Sequence, residues 1–236
     1  MRCYEQVRVN LALLSQVRPM NVTLIGVGAG YSYVVSGPTH QCYEDITLMR
    51  ALPTVRVLSP ADHVTAAALF DRCATETGIK YLRFDAQLLP VLYDAPPSDL
   101  AKGFHVHRTG GRVCLVATGF MVHTALKVAA TLEAEGQPAG VIDLFDLTAV
   151  SGDPLAAELA RYDTIVSLEE AFRGRGGLDA LLFEFIARRG LPIRMLNIGV
   201  EGAYHFELGT RAELHENVGI GPDAVRRDVL AFLARS

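Results

Sequence analysis

The sequence predicts an α/β protein of two parallel-sheet domains, the first of them incomplete. Three observations lead there. Short apolar runs alternate with helical patterns twice along the 236 residues. Those runs are rich in Val, Ile and Leu without polar alternation, as in strands buried on both faces. A stretch rich in Pro and Gly separates the two series. Half of the residues are hydrophobic, enough to fill substantial cores.

The first series opens with a helical pattern through "YEQVRVNLALLSQV" (4–17) and the strand "VTLIGV" (22–27). After the glycine-laced continuation comes a loop containing "SGPTHQ" (36–41), then a helix through "YEDITLMRAL" (43–52) and the strand "TVRVLSP" (54–60). The helix "ADHVTAAALFDRCATET" (61–77) and the strand "KYLRF" (80–84) close it. Asp62, just after Pro60, suits that helix's N-terminus, where a carboxylate meets free backbone N–H groups. A sheet of three strands leaves an open edge and uncovered apolar faces, so another chain is expected to complete it. Residues 1–86 form this partial domain, and 87–112, with Pro96-Pro97 and Gly110-Gly111, read as a linker.

The second series, in residues 113–236, is complete. It runs through the strand "VCLVATG", the helix "MVHTALKVAATLEAEG", the strand "AGVIDLFDL" and the helix "DPLAAELARY". The strand "TIVSLEE", the helix "GLDALLFEFIARRG", the strand "PIRMLNIG" and a closing helix "PDAVRRDVLAFLARS" follow. About 120 residues of this kind suffice for an independent domain.

Charge and composition narrow the function. A formal net charge of −4 and the absence of a Lys/Arg run argue against nucleic acid as a partner. No apolar run reaches the roughly 18 residues that a membrane crossing needs, and "MRCYEQVRVN" has no secretory pattern. Cys3, Cys42, Cys73 and Cys114 lie far apart, which fits reduced thiols in a cytoplasmic protein and no zinc site.

Most motifs have a structural reading. "GVGAG" (26–30) does not run into a helix, as a dinucleotide phosphate loop must. "GRGGL" (174–178) precedes a helix and serves either a tight turn or a phosphate, the turn being the simpler reading. No G-x-S-x-G elbow exists. His105 and His107 share a face if "FHVHR" is a strand, but they lack a third metal ligand. Glu169 and Glu170 end a strand, yet neighbours on a strand point to opposite faces and make no acid/base pair. His40 stands apart: with Thr39 and Ser36 it lies beyond the carboxyl end of a parallel strand, where open α/β sheets bind ligands. Arg83, at a second strand end, is suited to an anionic head group.

These residues carry a resemblance. "RCYEQVR", "GAGYSYVVSGPTHQCYEDITLMRALPTVRVLSPAD" and "YLRF" resemble the second half of the pyrimidine-binding domain of transketolase-type enzymes. "LVATGFMVHTALKVAATLEAEG", "VIDLFDL", "IVSLEEAFRGRGGLDA" and "HFELGTRAELHENVGI" resemble the C-terminal domain of the same family. The resemblance implies a thiamine-diphosphate- and Mg2+-dependent transfer of a ketol or acyl fragment from a ketose or ketoacid to an acceptor. It implies that His40 touches substrate oxygens, Ser36 lies on the substrate side, Arg83 meets the acceptor phosphate and Arg2 lines the pyrimidine pocket. The family commonly has aspartate where this chain has Ser36, and the activating glutamate and the diphosphate domain are expected on other chain segments. The chain is therefore expected to act within a hetero-oligomer. Its partners would be a diphosphate-binding subunit and a chain supplying the missing half of the pyrimidine domain. A non-catalytic assembly subunit is the other reading.

Overall fold

The structure, a computed structural model, describes residues 3–98 and 100–235. The opening helical segment begins as α1 (Tyr4–Gln6) and continues through π-helical turns (Val7–Leu13) and a 3-10 turn (Leu14–Gln16). β1 (Asn21–Val27), α2 (Asp45–Arg50), β2 (Val55–Leu58), α3 (His63–Thr75) and β3 (Gly78–Phe84) follow. The three strands are parallel in the order β1-β3-β2, with Val27 opposite Phe84. β1 is an edge strand, and its Ile25 and Val27 are 48% and 59% exposed. Leu13 and Val17 of the opening helical segment are exposed as well, and the first sheet has an open, partly apolar edge. Asp62 caps α3 as expected, accepting from Thr65 N (2.9 Å) in a capping box.

The second sheet holds β4 (Phe104–Arg108), β5 (Val113–Ala117), β6 (Ala139–Leu144), β7 (Thr164–Phe172) and β8 (Arg194–Val200), in the order β4-β6-β5-β7-β8. All pairs are parallel except β4 with β6. α4 (Met121–Ala134), α5 (Gly152–Leu159), α6 (Leu178–Arg189), α7 (Arg211–Asn217) and α8 (Pro222–Leu233) complete it. β5 and β6 are buried at every position, which explains their apolar sequence, broken only by Asp143 in β6. Two elements differ from the sequence reading. β4 lies inside the stretch read as linker, because the two histidines obscure a strand whose Phe104 packs inward. α7 is short, but the sequence marks its start: Thr210 and Glu213 form a capping box. No helix among the described residues is long and apolar enough to cross a membrane.

The two halves share their cores. Ile46, Val57 and Ile79 of the first pack in one cluster with Leu144, Ile165 and Leu182 of the second. Main-chain bonds cross as well, from Ser59 N to Phe145 O and from Leu147 N to Val57 O, both 2.8 Å.

A buried ionic network joins them at the carboxyl end of β7. Glu170 accepts from Arg211 Nε (3.0 Å) and Nη2 (2.5 Å), from the Tyr31 backbone N–H (3.0 Å), and lies 2.5 Å from His215 Nε2. Arg211 also pairs with Asp85 (2.7 Å) and stacks 3.7 Å above the Phe120 ring. Burial by itself would raise Glu170, but Arg211 and His215 outweigh it and hold the carboxyl well below the usual carboxylate range.

A second buried cluster ties the connecting segment to β6. Asp62 Oδ2 accepts from Leu92 N and Tyr93 N, and Tyr93 OH donates to Asp143 Oδ2 (2.7 Å). The Tyr93 ring stacks near His105 and His107, which lie 4.9 Å from each other on one face of β4. Burial pushes Asp143 up to about 8 and His107 down to about 4. No group of three metal-ligating side chains forms among the described residues, so these histidines pack around Tyr93.

Two stability outcomes follow from these clusters. Glu170→Gln leaves buried Arg211 short of its counter-charge and weakens the contact to His215, and is expected to cost about 3–5 kcal/mol at pH 7. Glu170 is depressed, so its contribution exists above the ordinary carboxylate pKa and is lost as pH falls through it; the deficit should shrink in acid. Asp143 is raised, so its contribution is complete below about pH 4 and declines as pH rises toward 8. Asp143→Asn should therefore gain on the parent across that window, by about 1–3 kcal/mol at pH 8. His107 works in the opposite direction, so the difference between variant and parent isolates Asp143. Urea denaturation of each variant at pH 4, 6, 7 and 8 checks both outcomes.

Candidate functional site

The site is built from the chain that leaves β1. Gly28 N and Ala29 N donate to Phe84 O at the end of β3, carrying the chain across the sheet's carboxyl edge. Gly30 then forms a two-bond antiparallel bridge with Cys42, N to O at 2.9 and 3.0 Å, which closes the intervening residues into a loop. Gly30 has φ +53°, and a Cβ there would stand 2.3 Å from the Glu170 carboxyl. Only glycine allows the loop base to sit on that carboxylate.

Within the loop, Gly37–Thr39 form a 3-10 turn with Pro38 in its first turn. His40 N and Gln41 N both donate to Gly37 O. Ser36 and His40 are exposed, and the turn places them on the same loop. Thr39 Oγ1 lies 2.9 Å from His40 Nδ1, and the Tyr33 ring stands edge-on at 6.2 Å, which together orient the imidazole. With Nδ1 engaged by Thr39, Nε2 is the ring nitrogen on the other side of the imidazole.

Arg83 does not join them. It is 2% exposed and lies beneath the loop: Nε donates to Asp45 Oδ2 (2.8 Å), and Nη2 to Glu170 O (3.1 Å) and Cys42 O (3.4 Å). Asp45 also accepts from Tyr81 OH (2.9 Å). This corrects the reading of Arg83 as an open receptor for an anionic head group. Its register opposite Gly26 turns the side chain between the domains, where a carboxylate already meets it. Although burial opposes its charge, Asp45 holds Arg83 firmly protonated. Arg2 lies outside the described residues.

Glu169 and Glu170 diverge as strand geometry requires. Glu169 turns to the start of α6 and accepts from Leu178 N (2.8 Å) and Asp179 N (3.1 Å), while burial and then Asp179 push it up to about 7. A Cβ at Gly177 would lie 2.0 Å from Glu169 Oε2, so "GRGGL" is a turn packed on a carboxylate. Sequence reasoning did not find Asp45, Arg211 or His215. Each acts on a partner 38 to 45 residues away, a distance no local pattern records.

The residues present fit a substrate-facing wall and not a whole thiamine diphosphate site. His40 and Ser36 present polar groups outward, whereas Asp45 and Glu170 are engaged with internal cations. No three-ligand metal group exists among the described residues to hold a diphosphate through its cation.

Comparison with known proteins identifies the two halves. Residues 2–91 match the transketolase pyrimidine binding domain, and residues 103–225 the transketolase C-terminal domain. One subunit of the apulose-4-phosphate transketolase of Actinobacillus succinogenes is 26% identical over 95% of this chain and 70% of its own length. The 1-deoxy-D-xylulose-5-phosphate synthase of Pseudomonas paraeruginosa is 31% identical over 84% of this chain but 31% of its own length. A solved split-gene transketolase, described as an inactive beta4 tetramer, superposes with a TM-score of 0.82 at 27% identity, covering 98% of this chain and 71% of that one. A transketolase from Pichia stipitis shares the fold, with a TM-score of 0.72 over 91% of this chain and 30% of its own. With both halves matched in order and the GPTHQ loop seated at the carboxyl edge of the first sheet, this chain belongs to the transketolase family.

Proposed function

We propose that this chain is the C-terminal component of a split, thiamine-diphosphate-dependent transketolase-like enzyme. The complex transfers a ketol or acyl fragment from a ketose or ketoacid donor to an acceptor. The observation that carries the reading is an exposed His40 and Ser36 on a loop whose base is clamped by the Gly30–Cys42 bridge above Glu170. A site needs such a fixed polar edge if reacting atoms are to be oriented.

Thiamine diphosphate, when bound, supplies the nucleophilic carbon and the electron sink. His40 binds a substrate oxygen through Nε2 and holds or moves a proton there. Ser36 offers a short neutral hydroxyl to a neighbouring oxygen. Arg83 acts one layer behind, fixing the Cys42 carbonyl at the loop base. Arg2 lines the pyrimidine pocket by family resemblance. The diphosphate, its Mg2+ and the activating glutamate are supplied within the assembled complex, by the diphosphate-binding subunit and by the remainder of the pyrimidine domain.

Exposed apolar groups surround the loop and favour such an assembly. Tyr33, Val35, Tyr204, Phe206 and Leu208 are all exposed, and Leu208 lies against Gly37. Together with the open β1 edge they support a hetero-oligomer, with a diphosphate-binding subunit as partner and the first sheet completed by further strands; the free cysteines suit a cytoplasmic setting. Ser36, in a position where the family commonly has aspartate, is the feature that favours a non-catalytic assembly subunit.

The test uses the complex reconstituted by co-expression with candidate partner chains. His40→Ala is expected to lower kcat/KM about a hundredfold while native mass spectrometry shows the same assembly. Arg83→Ala should instead strand Asp45 in the interior and cost about 3–5 kcal/mol of stability in urea melts. The chain alone should neither turn over nor bind thiamine diphosphate tightly by calorimetry. Cofactor-dependent turnover absent from every reconstituted complex would leave the assembly-subunit reading.

A further inference from the structure

The loop that presents His40 turns one side chain inward. Gln41 is 6% exposed, and its Oε1 accepts from Tyr43 OH. Its Nε2 is buried and meets no hydrogen-bond partner among the described residues. The inward anchor of the loop therefore rests on the Tyr43 hydroxyl. Removing that hydroxyl would leave both ends of a buried amide unsatisfied, which favours swinging Gln41 out to water. His40 is the adjacent residue, so its backbone would move with it.

Tyr43 is itself held by the second domain. It is fully buried, its carbonyl accepts from Phe172 N (3.2 Å) at the end of β7, and its ring lies 5.1 Å from the Phe172 ring. Tyr31 packs on its other side at 5.0 Å. The Tyr31 amide donates to Glu170, and its ring stands 5.6 Å from His215. A continuous line of contacts thus runs from α7 through Glu170 and the two tyrosines to Gln41. Burial, with Tyr31 and nearby carboxylates adding to it, raises the Tyr43 phenol, so the hydroxyl keeps the proton it donates.

We propose that Tyr43 is a positioning residue through which the second domain sets the pose of His40. It touches no substrate; it holds Gln41 inward and so aims the neighbouring imidazole. Only the kinetic part of this inference rests on the proposed function.

Tyr43→Phe keeps the ring and its packing and removes the tether. Gln41→Met removes the acceptor at similar volume. Hydrogen–deuterium exchange on the full chain should show faster exchange in residues 36–42 for either variant, while the β5–β7 core stays protected. In the reconstituted complex each should lower kcat/KM about tenfold, with a larger effect on kcat than on KM. The double variant should be no worse than the single ones, as expected for two ends of one bond. Unchanged exchange in 36–42 overturns the proposal, as do unchanged kinetics in an active complex or losses that add in the double variant. A kinetic loss that only tracks the fraction unfolded in urea melts also overturns it. Should the parent complex be inactive, the proposed function falls, yet localised exchange in Tyr43→Phe still decides the positioning role.

Discussion

Glu170 is the constraint around which this molecule is organised. A fully buried carboxylate is costly unless opposite charge and hydrogen bonds surround it. Here Arg211 and His215 from α7 and the Tyr31 amide from the first half all converge on it. The Glu170 backbone carbonyl takes Arg83, and Arg83 in turn takes Asp45. A glycine is required at position 30 because that carboxylate occupies the space a Cβ would fill. The interdomain contact and the base of the His40 loop therefore depend on the same group.

Polar contacts of this kind confer orientation more than stability. Desolvating the charges offsets much of their attraction, whereas the shared apolar cores supply the nonspecific cohesion between the halves. What the ion network adds is a single allowed arrangement, since a shift of β7 against the first half would strand several buried charges together. The proposed role of the His40 loop requires that uniqueness. His40 is exposed, and its own contacts, Thr39 and the edge of Tyr33, are local. Its placement relative to the rest of the protein comes from below, through Cys42, Gln41 and Tyr43.

The candidate residues that the sequence pointed to and the contacts that it hid differ by range. His40 and Ser36 were readable because Gly37 and Pro38 announce a turn directly after a strand, and a turn is a local event. Arg83 was readable as a strand-end cation, but its true partner, Asp45, lies 38 residues away across the sheet. The same limit hid the surroundings of His105 and His107, which pack on Tyr93, itself bonded to Asp143. β4 was hidden for a further reason: as an edge strand its partly exposed residues need no apolar pattern.

The sequence by itself determined the two alternating series, the parallel sheets, the open first sheet, the α3 cap and the loop that carries His40. Each of these follows from periodicity, β-branched runs, Gly/Pro punctuation or a capping residue, all of which act within a few positions of themselves. The tertiary structure settled that Arg83 faces inward, that Glu169 meets the start of α6 while Glu170 meets α7 and the Tyr31 amide, and that Tyr43 bonds Gln41. Those outcomes depend on which charges and rings the fold brings together from separate elements. Burial then fixes their roles, because in a low-dielectric interior a charge must stay with whatever partner the packing supplies.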